Sequence, residues 1–207
     1  GDTMAARDPF VLAFDTSRAA CDVALLRGHE TLGHRFEEMT KGQAERLLVI
    51  CRSLMVDAGI APTELSAIGV GIGPGNFTGI RIAVSAARGL ALGLGIPAIG
   101  VSAFDALRLG ADVPCTICVD ARRDQVYAQA FDANRSQEPR LLARSELETL
   151  TPPIIGAGNA SPRYAGAVAI AHIARDRMVS PQPRPAPLYL RPADAAPAKD
   201  PPPKILS

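Results

Sequence analysis

Residues 71–81 read G-I-G-P-G-N-F-T-G-I-R, and they join an apolar run, Ala67-Ile68-Gly69-Val70, to a long Ala/Leu/Gly pattern from Gly79 to Gly95. Strand, glycine turn and apolar helix in direct succession dictate an α/β chain, because the helix must bury its face on the sheet that the strand belongs to. Gly71, Gly73 and Gly75 lack a Cβ and allow positive φ or close approach of a ligand. Pro74 sets one φ between them. The Thr78 hydroxyl is expected to cap the helix, leaving the N–H groups of Thr78, Gly79 and Ile80 at the positive end of its dipole. The turn is therefore a candidate anion site, but both specific fingerprints fail. A phosphate loop needs a lysine, and none occurs between Lys41 and Lys199. A dinucleotide G-x-G-x-x-G meets Asn76 or Thr78 where its third glycine belongs. The alternative is a tight strand-to-helix connection without a ligand.

Phe10–Phe14 reads as a short strand ending at Asp15-Thr16-Ser17. Cys21–Arg27 and Glu30–Phe36 flank Gly28 as a hairpin. A helix is expected from Gly42 to Ala58, with Leu47, Leu48, Cys51, Leu54 and Met55 at three- and four-residue spacing and Gly59 as its end. Strand 66–72, the glycine turn, the helix to Gly95 and strand 96–101 complete a βββαβαβ unit. A weaker copy follows. It comprises a helix capped by Ser102, strands at Cys115–Asp120, Val126–Phe131 and Arg140–Ala143, a short helix at Ser145–Leu150, strand 153–155, the turn Gly156-Ala157-Gly158-Asn159 and a helix from Ala165 to Arg177. The expected units are 4–101, 102–192 and a proline-rich mobile tail, 193–207. Between Pro181 and Pro203, nine of 23 residues are proline, which excludes helix.

The charge balance, 22 Lys and Arg against 21 Asp and Glu, gives a net charge of +1. That balance supplies no electrostatic footprint for gripping nucleic acid unaided. No apolar run reaches the roughly 20 residues a membrane span requires, and no charged-then-apolar leader opens the chain. These features lead to an expectation of a cytoplasmic protein. Cys115-Thr-Ile-Cys118 is a lone C-x-x-C on a strand, where positions three apart face opposite sides, so it and Cys21 and Cys51 are expected as reduced, buried thiols. His29, His34 and His172 are not spaced to bind a metal together, and none is expected. No G-x-S-x-G elbow is present, and no catalytic residue is assigned. The helix from Ile80 to Leu94 is apolar nearly all round, so it needs cover on both sides. The preceding helix, the second half or a partner chain could provide it.

The eleven-residue string resembles the TsaB (YeaZ) family of tRNA threonylcarbamoyladenosine biosynthesis. The resemblance extends to Phe14-Asp15-Thr16-Ser17, Gly93-Leu94-Gly95-Ile96-Pro97, Val119-Asp120-Ala121-Arg122-Arg123 and Leu188-Tyr189-Leu190-Arg191-Pro192, and so covers nearly the whole chain. It implies two actin/sugar-kinase-like (ASKHA) halves, each a mixed five-stranded sheet with flanking helices. It further implies a non-catalytic partner of TsaD, a homodimer when alone, TsaE as a third member and tRNA engaged only indirectly. The second half is shorter than the resemblance implies between Gly158 and Ala165. TsaD carries an H-x-x-x-H for a metal on its first helix, and Lys41–Leu47 here holds no histidine. Asp15 and Asp120 end the first strand of each half, where kinases of this superfamily place their phosphate chemistry. Asx turns are the structural alternative for both. The candidate nucleotide residues are Asp15, Thr16, Gly73, Gly75, Thr78 and Gly79. No cofactor is expected to bind tightly, and ATP or ADP only at the partner interface. The candidate interface residues are Leu47, Cys51, Arg81, Val84, Ser85, Arg88 and Leu92. The competing class is an enzyme of its own, a glycoprotease-like peptidase or an ATP-dependent phosphotransferase.

Overall fold

The computed structural model describes residues 7–190. Arg191, Pro192 and the expected tail 193–207 lie outside the described residues. The first sheet is built from β1 (Phe10–Asp15), β2 (Ala20–Arg27), β3 (Glu30–Glu38), β4 (Leu65–Gly71) and β5 (Ala98–Val101), ordered β3-β2-β1-β4-β5. β1 runs antiparallel to β2 and parallel to β4, and β4 runs parallel to β5. Helices α1 (Gln43–Ala58) and α2 (Phe77–Leu94) connect these strands. After α3 (Ala103–Arg108), the second sheet repeats the pattern with β6 (Cys115–Asp120), β7 (Gln125–Phe131), β8 (Arg140–Ala143) and β9 (Ile154–Ile155), ordered β8-β7-β6-β9. α4 (Gly166–Arg177) follows. The repeated order, with two antiparallel neighbours on one side of the first strand and a parallel one on the other, is the duplicated ASKHA architecture.

Instead of the five strands expected, the second sheet has four among the described residues. The chain after α4 carries Pro181, Pro183, Pro185 and Pro187. Proline has no N–H, and in an extended chain every second N–H faces the same edge, so one edge of this segment has lost its donors. The segment runs as an extended strap instead. The Leu188 N–H donates to the Ile72 carbonyl at 2.9 Å, and Leu190 packs on the second-half core.

β1 is buried on both faces, and its alternation sorts the core. Leu12 and Phe14 face α1 and α2. Val11 and Ala13 face α4. α4 belongs by sequence to the expected second unit, yet it lies on β1, β2 and β4 of the first sheet. Its small residues Ala167, Ala171 and Ala174 are fully buried, and Gly69 of β4 lets the helix come close, since a Cβ there would sit 2.9 Å from that of Ala174. α2 has the length and hydropathy of a membrane span, 18 residues with a mean hydropathy of 1.3. This differs from the expectation that no apolar run is long enough. Here one stripe of it, Ile80, Ala83, Val84, Ala87 and Ala91, is buried against the sheet and α1, while Phe77 and Leu92 are exposed.

Candidate functional site

Two concave surfaces flank the glycine turn. The first is a cavity of about 770 Å³ between the halves, lined from one side by Asp15, Gly73 and Gly75 and from the other by Asp120, Arg122 and Gly156. The Asp15 Oδ1 accepts the Ser17 N–H at 2.8 Å, the Asx geometry anticipated from sequence, and burial pushes its carboxyl above the ordinary 3.8. Asp120 is ion-paired with Arg144. The same guanidinium donates to Asp124 Oδ1 at 3.1 Å and to the Ala157 carbonyl at 2.8 Å. Arg144 therefore ties together the end of β6, the β6–β7 turn and the second glycine turn.

The six candidate nucleotide residues divide three ways. Asp15, Gly73 and Gly75 line the cavity. Thr16 and Gly79 do not, because they are packed on each other: the fully buried Thr16 hydroxyl donates to the Gly79 carbonyl. A Cβ on Gly79 would overlap the Thr16 carbonyl oxygen, so this glycine serves close packing. Thr78 faces the opposite groove. Asn76, not Thr78, caps α2, its Oδ1 accepting the Gly79 N–H at 2.8 Å, while its own N–H donates to the Ser17 carbonyl at 2.7 Å. Two amides that could have met an anion are therefore satisfied within the chain. The string N-F-T-G contained this cap. Both Asn76 and Thr78 qualify by residue type, and only the backbone decides which one precedes the first helical residue.

The second surface is a groove between α1 and α2, lined by Ala44, Leu48, Phe77, Thr78, Arg81 and Ile82 among others. Arg81 lies over the Phe77 ring, and Phe77 stacks on Tyr189 of the strap with centroids 5.0 Å apart. Leu48 is 46% exposed and Leu92 85% exposed. Of the seven candidate interface residues, Arg81, Ser85 and Leu92 face outward. Leu47, Cys51 and Val84 are buried in the core beneath the two helices, Leu47 also lining the groove from below. The Arg88 Nε donates to the Pro185 carbonyl at 2.7 Å, so this residue holds the strap. A helix apolar on every stripe does not reveal which stripe faces its sheet, which is why Val84 of α2 could be read as outward from the sequence.

The four thiols are free and buried, with Cys51 pushed by burial up to about 12 and Cys118 up to about 11. Cys115 enters the second-half core and Cys118 the cavity wall, the opposite faces their spacing required.

A family model described as TsaD, tRNA N6-adenosine threonylcarbamoyltransferase, matches residues 33–141, slightly over half of the 207-residue chain. A protein of Mycobacterium tuberculosis is 34% identical over 202 residues, 90% of this chain and 94% of that one. The tRNA threonylcarbamoyladenosine biosynthesis protein TsaB of Escherichia coli is 36% identical over 122 residues. The solved structure of YeaZ from Pseudomonas aeruginosa superposes with a TM-score of 0.69 at 27% identity, covering 88% of this chain and all of that one. The chain belongs to this family, among its TsaB (YeaZ) members. The match to the E. coli TsaB covers 56% of this chain and 52% of that protein, about half of its length. Within the TsaB frame, the residues that sequence reasoning missed are Arg144, Tyr127 and Tyr164. Each reaches the cavity or its rim from an element whose local pattern carries no motif.

Proposed function

We propose that this chain is a non-catalytic partner subunit of a TsaD-containing assembly that installs the threonylcarbamoyl group on the adenosine beside the anticodon of tRNA. The observation that carries this reading is the exposed groove between α1 and α2, with Leu48, Phe77 and Arg81 on its walls and Leu92 beyond it. A contiguous apolar groove of this kind is what a partner helix covers. The name of the E. coli relative supplies the pathway. The non-catalytic role is supported by the satisfied amides of the glycine turn and by Asp15, which serves its own Asx turn. With a net charge of +1, the chain leaves the grip on tRNA to its partner.

In this reading the groove pairs two copies when the chain is alone and yields to TsaD when TsaD is present. TsaE joins as a third member, and ATP or ADP is held only where partner surfaces meet. The assembly works in the cytoplasm, where tRNA is modified. Binding TsaD in one conformation better than in another shifts its population toward the competent state. Co-purification with TsaD, followed by an assay of tRNA modification with and without this chain, tests the reading. Expected are a stable complex and modification that depends on it. Failure to bind TsaD, or a folded Asp15→Ala protein that binds TsaD yet supports no modification, overturns it in favour of an enzyme.

A further inference from the structure

Ser180 to Pro187 reads S-P-Q-P-R-P-A-P, so every residue in it is a proline or precedes one. Proline fixes its own φ, and its ring holds the residue before it in the extended region. The strap is therefore stiff before it makes any contact. Three contacts then pin it. Pro185 is buried, with its carbonyl accepting the Arg88 Nε–H of α2 at 2.7 Å and its Cβ 3.3 Å from where a Cβ on Gly100 would lie. The Leu188 N–H is held by the Ile72 carbonyl at 2.9 Å. Leu190 packs on the second-half core that contains Phe104 and Phe131. Successive side chains of an extended chain point to opposite sides. With Leu190 directed into the second half, Tyr189 is directed at α2, where its ring stacks on Phe77.

Phe77 is the first residue of α2 and lines the helical groove. Its ring has Arg81 over it, 5.0 Å from the centroid, and Tyr189 stacked against it. Phe77 is 47% and Tyr189 52% exposed, so neither ring is held by a core. Among the described residues, every one that lines the groove belongs to the first half, and Tyr189 joins that lining to the second. We infer that the strap regulates the groove, with Tyr189 as a positioning residue that holds the Phe77 ring as the groove's end wall. Leu190 makes that hold conditional on a formed second-half core. This rests on the reading that TsaD docks in the groove, and it gives the second half a part in docking without lending the groove a residue. An aromatic pair is worth roughly two- to tenfold in an equilibrium constant. A partner that must itself select one of about three staggered wells of a released Phe77 loses up to about threefold.

The test titrates TsaD against the full chain and reads two quantities, the affinity and the hydrogen-exchange rate of the Leu188 amide, which lies outside the groove. Tyr189→Ala should weaken TsaD binding about threefold to tenfold. Tyr189→Phe keeps the ring and should bind as the parent does. Arg88→Ala frees the strap but leaves every ring in place, and it should weaken binding to a similar degree. The double variant Arg88→Ala, Tyr189→Ala should bind no more weakly than the weaker single variant, because both changes act through one element. TsaD should slow exchange of the Leu188 amide in the parent and leave it unchanged in Tyr189→Ala. Neither position belongs to the hydrophobic cores, so each variant is expected to fold, as a single urea transition checks. Parent-like binding by Tyr189→Ala or Arg88→Ala, additive losses in the double variant, or a Leu188 amide that TsaD does not slow overturns the inference and leaves TsaD docking standing. A parent that does not bind TsaD removes both.

Discussion

Glycine serves opposite purposes at two positions of α2. Gly79 begins the helix against the end of β1, and any Cβ there would overlap the Thr16 carbonyl oxygen. A buried backbone carbonyl just past a sheet strand cannot yield as a flexible side chain can. Gly79→Ala is expected to destabilise the chain by about 3 kcal/mol or more, read as a lowered urea midpoint. Gly93 lies in the last turns of the same helix, with nothing within 4 Å of an added Cβ. Gly93→Ala should therefore stabilise by roughly 0.5–1 kcal/mol through helix propensity and a less disordered unfolded chain. Equal and opposite-signed shifts are not required, but a Gly79→Ala protein as stable as the parent would refute the packing account. By residue type alone the two glycines look alike. Only the neighbouring strand end separates a glycine needed for contact from one that is merely tolerated.

At the scale of elements, α4 depends on a tie that spans 145 residues. Asp22 of β2 is 2% exposed, and its Oδ2 accepts the Ala167 N–H at 3.0 Å, capping a helix that has no side-chain cap of its own. Its Oδ1 meets the Nε2 of His34 on β3 at 2.6 Å. At the other end Arg175 donates to the Gly28 carbonyl at 3.0 Å, and Arg177 pairs with Asp105 at 2.8 Å. Asp22→Ala strands a buried amide at the helix start, and is expected to cost about 2 kcal/mol or more by chemical denaturation. The hydrogen bond to Asp22 raises the pKa of His34 above the ordinary 6.5. Its contribution to stability is therefore fully present below pH 6.5 and is lost as pH rises through the higher folded value. His172 has the opposite sign, because burial followed by Arg175 lowers it. The difference between the parent and His34→Gln isolates the first effect. That difference should be larger at pH 6 than at pH 8.5, and a difference independent of pH would exclude the Asp22–His34 contact.

At the scale of the whole molecule, the strap and the helical face are linked. The strap carbonyl of Pro185 receives Arg88, and Tyr189 stacks on Phe77 at the end of the groove. Substitutions meant to probe association should therefore avoid Arg88 and use residues that face outward. Leu92→Glu together with Leu48→Glu changes two exposed positions and should alter folding stability by only about 0.5 kcal/mol each. In sedimentation the double variant is expected to be monomeric at concentrations where the parent self-associates, and to lose TsaD binding. A parent that stays monomeric throughout would remove the homodimer from the proposal, and retained TsaD binding by the variant would move the interface elsewhere.

The sequence by itself determined the elements, their order and the family. The hydrophobic period, the glycines that end α1 and α2 and the motif string are local properties, which a chain carries wherever its segments later pack. The turn at Gly71–Gly75, the Asx role of Asp15 and the opposite facing of Cys115 and Cys118 were legible for the same reason. Tertiary structure alone decided which stripe of the all-apolar α2 faces inward, burying Val84 and leaving Leu92 outside. It also decided that Asn76 and not Thr78 caps the helix, that α4 covers the first sheet, and that Arg144 gathers three loops at one rim. Each of these turns on a contact between segments distant in the chain, and local periodicity and capping preferences hold no information about which distant partner arrives.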